Sequence, residues 1–274
     1  MTGLPLRARA SKSNESKKSI ATSLGGFALD TIHQMDAFAG LEQLPDESVD
    51  LVVTDPPYNI ASKQKLTVLG GKLMTTADAW GAWDTFHSFD YDLFVGRVIS
   101  QCYRVLKPGG SFYMFSARED NGFFIRRAVE RGFTYRNQLA MIRKCALPSF
   151  GKKNWRSGFE LCLYMTKGKA TTFNFLSQAE CRNVHAYASN FKKTKHPTEK
   201  PLEFIRRLVL VSSNPGEIVL DPFMGGGTTA AAAKETSRRF IGFEKESEYI
   251  RMAEERLAAI PEKNFRSDSS REAA

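Results

Sequence analysis

The sequence predicts an α/β fold, a doubly wound and mostly parallel sheet with helices on both faces. Three observations carry this prediction. Short apolar segments alternate with amphipathic ones along most of the chain, the order that builds βαβ units. Four acids, Asp36, Asp55, Asp221 and Glu244, fall at the carboxyl ends of expected strands, where such sheets open their ligand cleft. Two strand-like segments, 137–142 and 159–165, follow one another with only a basic loop between them, which calls for a hairpin and therefore an antiparallel strand.

The elements follow in order. Residues 1–24 are rich in Ser, Lys and Arg and poor in large apolar side chains, so they are expected to be a disordered basic tail. A first strand is expected from Phe27 to His33, with Asp36 just beyond it. The run Val49-Asp50-Leu51-Val52-Val53-Thr54 reads as a buried strand. Asp55-Pro56-Pro57-Tyr58 must end it, because two prolines cannot continue a sheet ladder. Residues 60–86 carry Gly70-Gly71 and several lysines and are expected to form a loop region. A helix runs from Phe89 to Leu106 and stops at Lys107-Pro108-Gly109-Gly110. Ser111–Phe115 is a strand and Phe123–Arg131 a short helix ending at Gly132. The hairpin follows, and then a helix over Pro201–Ser212 with proline at its first turn. Ile218–Asp221 reads as a strand, Gly225-Gly226-Gly227 as a tight turn, and Thr228 to about Lys234 as an alanine-rich helix. Arg239–Glu244 is the next strand and 246–259 a closing helix. Residues 261–274 are expected to be a flexible tail.

The 274 residues, 42% of them hydrophobic, suffice for one large domain, here placed over 25–260. The formal charge of +9 favours a polyanionic partner. No apolar run approaches the ~18 residues of a membrane span, and no secretory pattern opens the chain, so a cytoplasmic protein is expected. Cys102, Cys145, Cys162 and Cys181 show no CxxC spacing and the histidines no paired spacing, so no metal site is expected.

Two turns carry chemistry. The Asp55–Tyr58 turn offers a carboxylate, backbone carbonyls and an aromatic face. An exocyclic amine on a planar base needs such acceptors and such a stacking surface; taken alone, the tetrapeptide is equally compatible with a plain surface turn. The glycine turn after Asp221 lets the backbone approach a ligand and opens a helix whose first N–H groups are unpaired. It is not GxGxxG, but Glu244 closes the next strand, where an acid takes ribose hydroxyls in Rossmann-like units.

With these motifs in view, the chain resembles the DNA amino-methyltransferases that act on adenine N6 or cytosine N4, in the β-type permuted order. Asp55-Pro56-Pro57-Tyr58 matches that family's base-binding DPPY turn. Asp221–Thr229 matches its cofactor segment, His196-Pro197-Thr198-Glu199-Lys200-Pro201 its HPTxKP segment, and Asp36 with 44–50 the stretch ahead of DPPY. Gly226 stands where the family more often has Ser, and Met35 where it has Gly. The resemblance implies a seven-stranded sheet with one antiparallel strand and S-adenosylmethionine as cofactor. It implies catalytic roles for Asp55, Pro56, Pro57 and Tyr58. It further implies cofactor contacts from Asp36, Asp55, His196, Thr198, Lys200, Pro201, Asp221, Phe223, Gly225, Gly227, Thr228, Thr229 and Glu244.

The expected reaction is methylation of adenine N6 in double-stranded DNA on a flipped base. Cytosine N4 is the nearest alternative, since the same amine logic serves it. The family more often has Ser in place of Asp55 for cytosine, which leans the reading to adenine. Methylation of RNA or of protein amides is disfavoured by Asp55 itself, and a non-catalytic subunit by the intact turns. Cytosine C5 chemistry would need a Pro-Cys nucleophile, and no cysteine here follows a proline. DNA contacts are expected from Lys144, Lys152, Lys153, Trp155 and Arg156, where aromatics interleave with charge. Target recognition is assigned to 60–86 or 170–195. A homodimer is expected, because the chain holds no separate recognition domain.

Overall fold

The computed structural model describes residues 22–58, 66–69, 72–75, 88–144, 152–153, 155–187 and 199–261. Residues 1–21 and 262–274 of the two expected tails, most of 60–86, and His196 and Thr198 therefore lie outside the described residues, while Ser23–Leu24, expected to belong to the disordered tail, form an ordered strand. The strands form an eight-stranded sheet in the order β10-β8-β9-β7-β4-β11-β12-β3. Here β3 is Thr31–Gln34, β4 Val49–Thr54, β7 Leu106–Ser116, β8 Thr134–Arg143, β9 Phe159–Thr166, β10 Val184–Tyr187, β11 Ile218–Asp221 and β12 Arg239–Glu244. Two small hairpins accompany it, β1 (Ser23–Leu24) with β2 (Phe27–Ala28) and β5 (Leu66–Leu69) with β6 (Lys72–Thr75). All pairs in the large sheet are parallel except those of β9, which runs antiparallel to both β7 and β8.

Alternation along the strands explains the double winding. Val52 in β4, Phe112 and Met114 in β7, Leu220 in β11 and Ile241 in β12 face one core. That core is covered by α1 (Ala37–Gln43), α2 (Ser88–Val105) and α3 (Asn121–Arg131). Leu51, Val53, Tyr113, Phe115, Val219 and Phe240 face the other core, under α4 (Leu202–Ser212), α5 (Thr228–Glu235) and α6 (Ser247–Ala258). Successive strand residues point to opposite faces, so each strand can be apolar on both sides, as a sheet buried between two helical layers requires.

Four expectations are corrected. The segment 60–86, expected as a loop region, holds the β5–β6 hairpin, whose strands alternate too briefly to stand out from the surrounding glycines and lysines. The sheet has eight strands rather than seven. The additional strand, β10, pairs parallel to β8 from within the segment assigned to target recognition. Its four residues, Val-His-Ala-Tyr, are too few to mark a strand by pattern. The single strand expected over Phe27–His33 is split, because Asp30 takes φ 61°. Its carboxylate accepts the Phe240 N–H at 3.1 Å and pairs with Arg239 at 2.5 Å, contacts that hold this unfavourable backbone. The strand expected to begin at Ser111 begins at Leu106, directly after α2, and pairs with β4 across the Pro-Gly-Gly segment. The antiparallel hairpin stands where it was expected.

Candidate active site

β4 and β11 are hydrogen-bonded neighbours in the middle of the sheet, in register at Val219↔Leu51 and Leu220↔Val52. The turn at Asp55 and the turn at Asp221 therefore leave the sheet side by side. β12 and β3 continue the row, with Glu244 opposite Gln34. All four acids expected at strand ends line one cavity of about 430 Å³. Its wall is largely apolar and aromatic, with Phe38, Phe94, Phe115, Phe223 and Phe243.

The glycine side is built from backbone. Asp221 is buried; its carboxylate accepts the Phe223 N–H at 3.1 Å and the Thr229 hydroxyl at 2.6 Å. Burial pushes its carboxyl up to about 7, against those two hydrogen bonds. Glu244 accepts three backbone N–H groups, from Gly225 at 2.8 Å, Lys245 at 2.8 Å and Glu246 at 2.9 Å. Burial also raises its carboxyl, which those hydrogen bonds oppose. Gly227 has φ 75°, and a Cβ there would come within 2.5 Å of the Ala253 Cβ on α6, so only glycine fits. Arg256, also on α6, donates to the Gly226 carbonyl at 3.2 Å and the Thr228 hydroxyl at 2.9 Å, and pairs with the buried Glu199 at 2.9 Å. This clamp ties the glycine turn to the segment that leads into α4.

The Asp55 side is built from side chains. Lys200 is 8% exposed, and its ammonium lies 2.6 Å from Asp55 Oδ2 and 3.3 Å from Glu160 Oε2. The Tyr58 hydroxyl donates a short hydrogen bond to Asp55 Oδ1. Arg143 pairs closely with Glu160 Oε1 and donates to the Tyr187 hydroxyl at 3.2 Å. The Tyr91 hydroxyl donates to the Pro57 carbonyl at 3.1 Å and fixes the second proline of the turn. Burial raises the Asp55 carboxyl, although Lys200 and Tyr58 pull it down. Burial and the neighbouring Asp55 and Glu160 charges put the Tyr58 phenol well above its usual range.

Of the residues expected to act, Asp36, Asp55, Pro57, Lys200, Asp221, Phe223, Gly225, Thr228, Thr229 and Glu244 line the cavity. Pro56 is buried at the head of its turn, and Pro201 is buried as the cap of α4. Tyr58 packs against the core under α4–α6 and reaches the site through Asp55. Asp36 also caps α1, its Oδ1 accepting from the Phe38 and Ala39 N–H groups at 2.9 and 3.3 Å. Lys144, Lys152, Lys153, Trp155 and Arg156 stand apart from the cavity, and the Trp155 side chain is 95% exposed. Sequence reasoning missed Glu160, Arg143 as its partner, Glu199 and Arg256. No motif marks Glu160 or Arg256; Glu199 sat inside a recognised segment and could have been found there. Among the described residues no cluster of His, Cys, Asp and Glu could hold a metal, and no helix is long and apolar enough to cross a membrane.

Comparison with known proteins identifies the family. A family model described as DNA methylase (N6_N4_Mtase) matches residues 49–255. The DNA adenine methyltransferase YhdJ of Escherichia coli (strain K12) is 36% identical over 273 residues, covering 86% of this chain and 85% of that protein. The Type II methyltransferase M.HinfI of Haemophilus influenzae is 32% identical over 251 residues, covering 85% of this chain and 69% of that protein. Among solved structures, the M1.HpyAVI–SAM complex superposes with a TM-score of 0.64 at 27% identity, covering 83% of this chain and 98% of that one. The cytosine-N4-specific PvuII DNA methyltransferase shares the fold with a TM-score of 0.65 at 19% identity, covering 82% of this chain and 85% of that one. By a family match over most of its length and by relatives this similar, the chain belongs to the N6/N4 DNA methylase family.

Proposed function

We propose that this protein methylates the exocyclic N6 amine of adenine in DNA, with S-adenosylmethionine as cofactor. The observation that carries the reading is the adjacency of the two turns: they follow hydrogen-bonded strands and their acids line one cavity. The relative named as an adenine methyltransferase supports adenine, and the SAM complex of M1.HpyAVI supports the cofactor. The cavity suits such a ligand. Its apolar and aromatic wall can take an adenine ring, Glu244 keeps one lone pair, on Oε2, for a ribose hydroxyl, and Asp221 offers negative charge to an ammonium. His196 and Thr198 belong to the same proposed binding set.

When bound, S-adenosylmethionine supplies an electrophilic methyl group on a positively charged sulfur. The chain's own residues prepare the acceptor. Adenine N6 is a poor nucleophile because its lone pair is delocalised into the ring. Asp55 accepts one N6 hydrogen and the Pro56 carbonyl the other, which draws the nitrogen toward a tetrahedral shape and localises the lone pair. Tyr58 stacks on the base, which must leave the duplex to arrive there. Burial makes Asp55 a stronger base than an exposed aspartate, so it is suited to hold the proton that N6 must give up. The double-stranded DNA lies against the positive surface that includes Lys144, Lys152, Lys153, Trp155 and Arg156. The reading also includes a homodimer on the duplex and a cytoplasmic setting.

The test is a mass-resolved nucleoside digest of DNA from a host that expresses the chain. N6-methyladenine above the level of an Asp55→Ala control is expected. N4-methylcytosine in its place would overturn the adenine assignment while keeping the amine chemistry.

A further inference from the structure

We propose that Glu160 is a positioning residue for the acceptor: it shares the Lys200 ammonium with Asp55 and draws it away from Asp55 Oδ2 when a base amine docks there. The inference rests on the reading of Asp55 as the amine acceptor. Both Asp55 oxygens already have a donor, Tyr58 on Oδ1 and Lys200 on Oδ2. Left that way, the carboxylate would have much of its charge offset by the ammonium and would be a weak acceptor for a neutral amine. Lys200 needs a second anion to turn to, and Glu160 Oε2, on a partly buried side chain, is that anion, 3.3 Å away. The ammonium is therefore held between two carboxylates, nearer to Asp55.

Glu160 is built to stay in place. It stands on β9, across from Met141 of β8, and its other oxygen is taken by Arg143. Arg143 is anchored in turn on the Tyr187 hydroxyl of β10. Burial opposes ionisation of Glu160, but the two cations beside it hold its carboxyl below the usual range. The local charges balance, with Asp55 and Glu160 against Lys200 and Arg143. Lys200 can then turn toward Glu160 without leaving its own buried ammonium unpaired, while the docking amine replaces it as donor to Asp55 Oδ2. Tyr58 must also give up Asp55 to stack on a base, and its hydroxyl lies 3.4 Å from the Lys200 ammonium, within reach as the pairs exchange.

The test is Glu160→Gln, which keeps shape and an oxygen for Arg143 but removes the charge. Single-turnover methyl transfer is expected to slow roughly 10- to 100-fold, the cost of a misplaced reacting group. S-adenosylmethionine affinity, measured by calorimetry, is expected to stay within about twofold. In a Lys200→Ala background the same substitution is expected to change the rate by less than about twofold, because the group it acts through is gone. A Glu160→Gln rate near that of the parent, or an equal loss in both backgrounds, would overturn the proposal. If Glu160→Gln fails to bind cofactor, Glu160→Asp is read in its place, on the same two backgrounds and by the same criteria. A parent chain that methylates no DNA amine overturns the underlying reading and this inference together. An active parent with an unaffected Glu160 variant overturns the inference alone.

Discussion

The glycine turn after β11 and the proline turn after β4 sit side by side, yet they are held by different means. Around Asp221 and Glu244, acids take hydrogens from the backbone and from one hydroxyl. Around Asp55, an acid takes hydrogens from two side chains, Tyr58 of its own turn and Lys200 from a distant segment, and Lys200 has a second anion, Glu160, to satisfy. A backbone donor cannot leave without the fold moving, whereas an ammonium can change partners. The first arrangement suits a ligand bound in one pose. The second suits a centre whose partners must exchange as a base enters.

The largest expected effect breaks the second region and spares the first. Asp55→Ala should lower turnover roughly 10²- to 10⁴-fold, the range for removing a group that handles a proton. S-adenosylmethionine should still bind, as calorimetry on the variant would show. Near-normal turnover would refute the role given to Asp55.

Next, Glu244→Ala should break the first region. It removes the proposed ribose contact, and cofactor affinity should weaken by about 1–3 kcal/mol. It also strips three backbone N–H groups of their acceptor, so the midpoint of thermal unfolding should fall as well. Unchanged affinity would move ribose recognition elsewhere.

The pH dependence sharpens the contrast. Asp221 has its folded-state carboxyl raised to about 7 from an ordinary 3.8, so the folded protein without ligand holds a proton that the unfolded chain has lost. Its contribution to stability is therefore fully present below about pH 4 and is lost as pH rises through about 7. An ammonium ligand prefers the ionised form, so cofactor affinity should move the other way and weaken as pH falls below about 7. Asp221→Asn should flatten both trends, which melting curves and calorimetry across that range would test.

The smallest effect concerns neither turn. Neutralising Lys152, Lys153 and Arg156 together should weaken DNA binding and lower the log–log salt slope by about 0.9 for each phosphate that is no longer neutralised. Cofactor affinity should be unchanged. A salt slope equal to the parent's would shift the proposed DNA-binding surface to 60–86 or 182–195.

The two regions also differ in how far the sequence disclosed them. The glycine side was legible because its parts are consecutive: Asp221, the Gly triplet and Thr228-Thr229 lie within one turn, and Glu244 closes the next strand. Backbone hydrogen bonding then leaves little freedom in how they meet. The Asp55 side was legible at the turn itself and at Lys200, which the HPTxKP segment marked for cofactor contact and not as a partner of Asp55. Glu160 and Arg143 come from β9 and β8, and their meeting with Lys200 depends on strand order and register. A lone Glu at the start of an apolar strand looks like a solvated strand end. For the same reason β10 escaped notice: four residues pair with β8 by tertiary placement, not by any pattern of their own. The longer helices were read closely, because caps are local, whereas the seven-residue α1 (Ala37–Gln43) was not expected. Gly132 ends α3 with φ 117°, and Pro201 opens α4.

Arg256 gives the fold an order in time. The ribosome releases the proline turn of β4 early and the glycine turn much later. The residue that clamps that turn stands on the last described helix, beyond even Glu244. A nascent chain therefore carries Asp55 for some two hundred residues before Arg256 can clamp the glycine side of the cleft. Lys200 likewise emerges long after Asp55. Until α6 emerges and folds back, the growing chain holds the Asp55 turn and no completed glycine clamp, so the two halves of the proposed site are completed together, once Arg256 is in place.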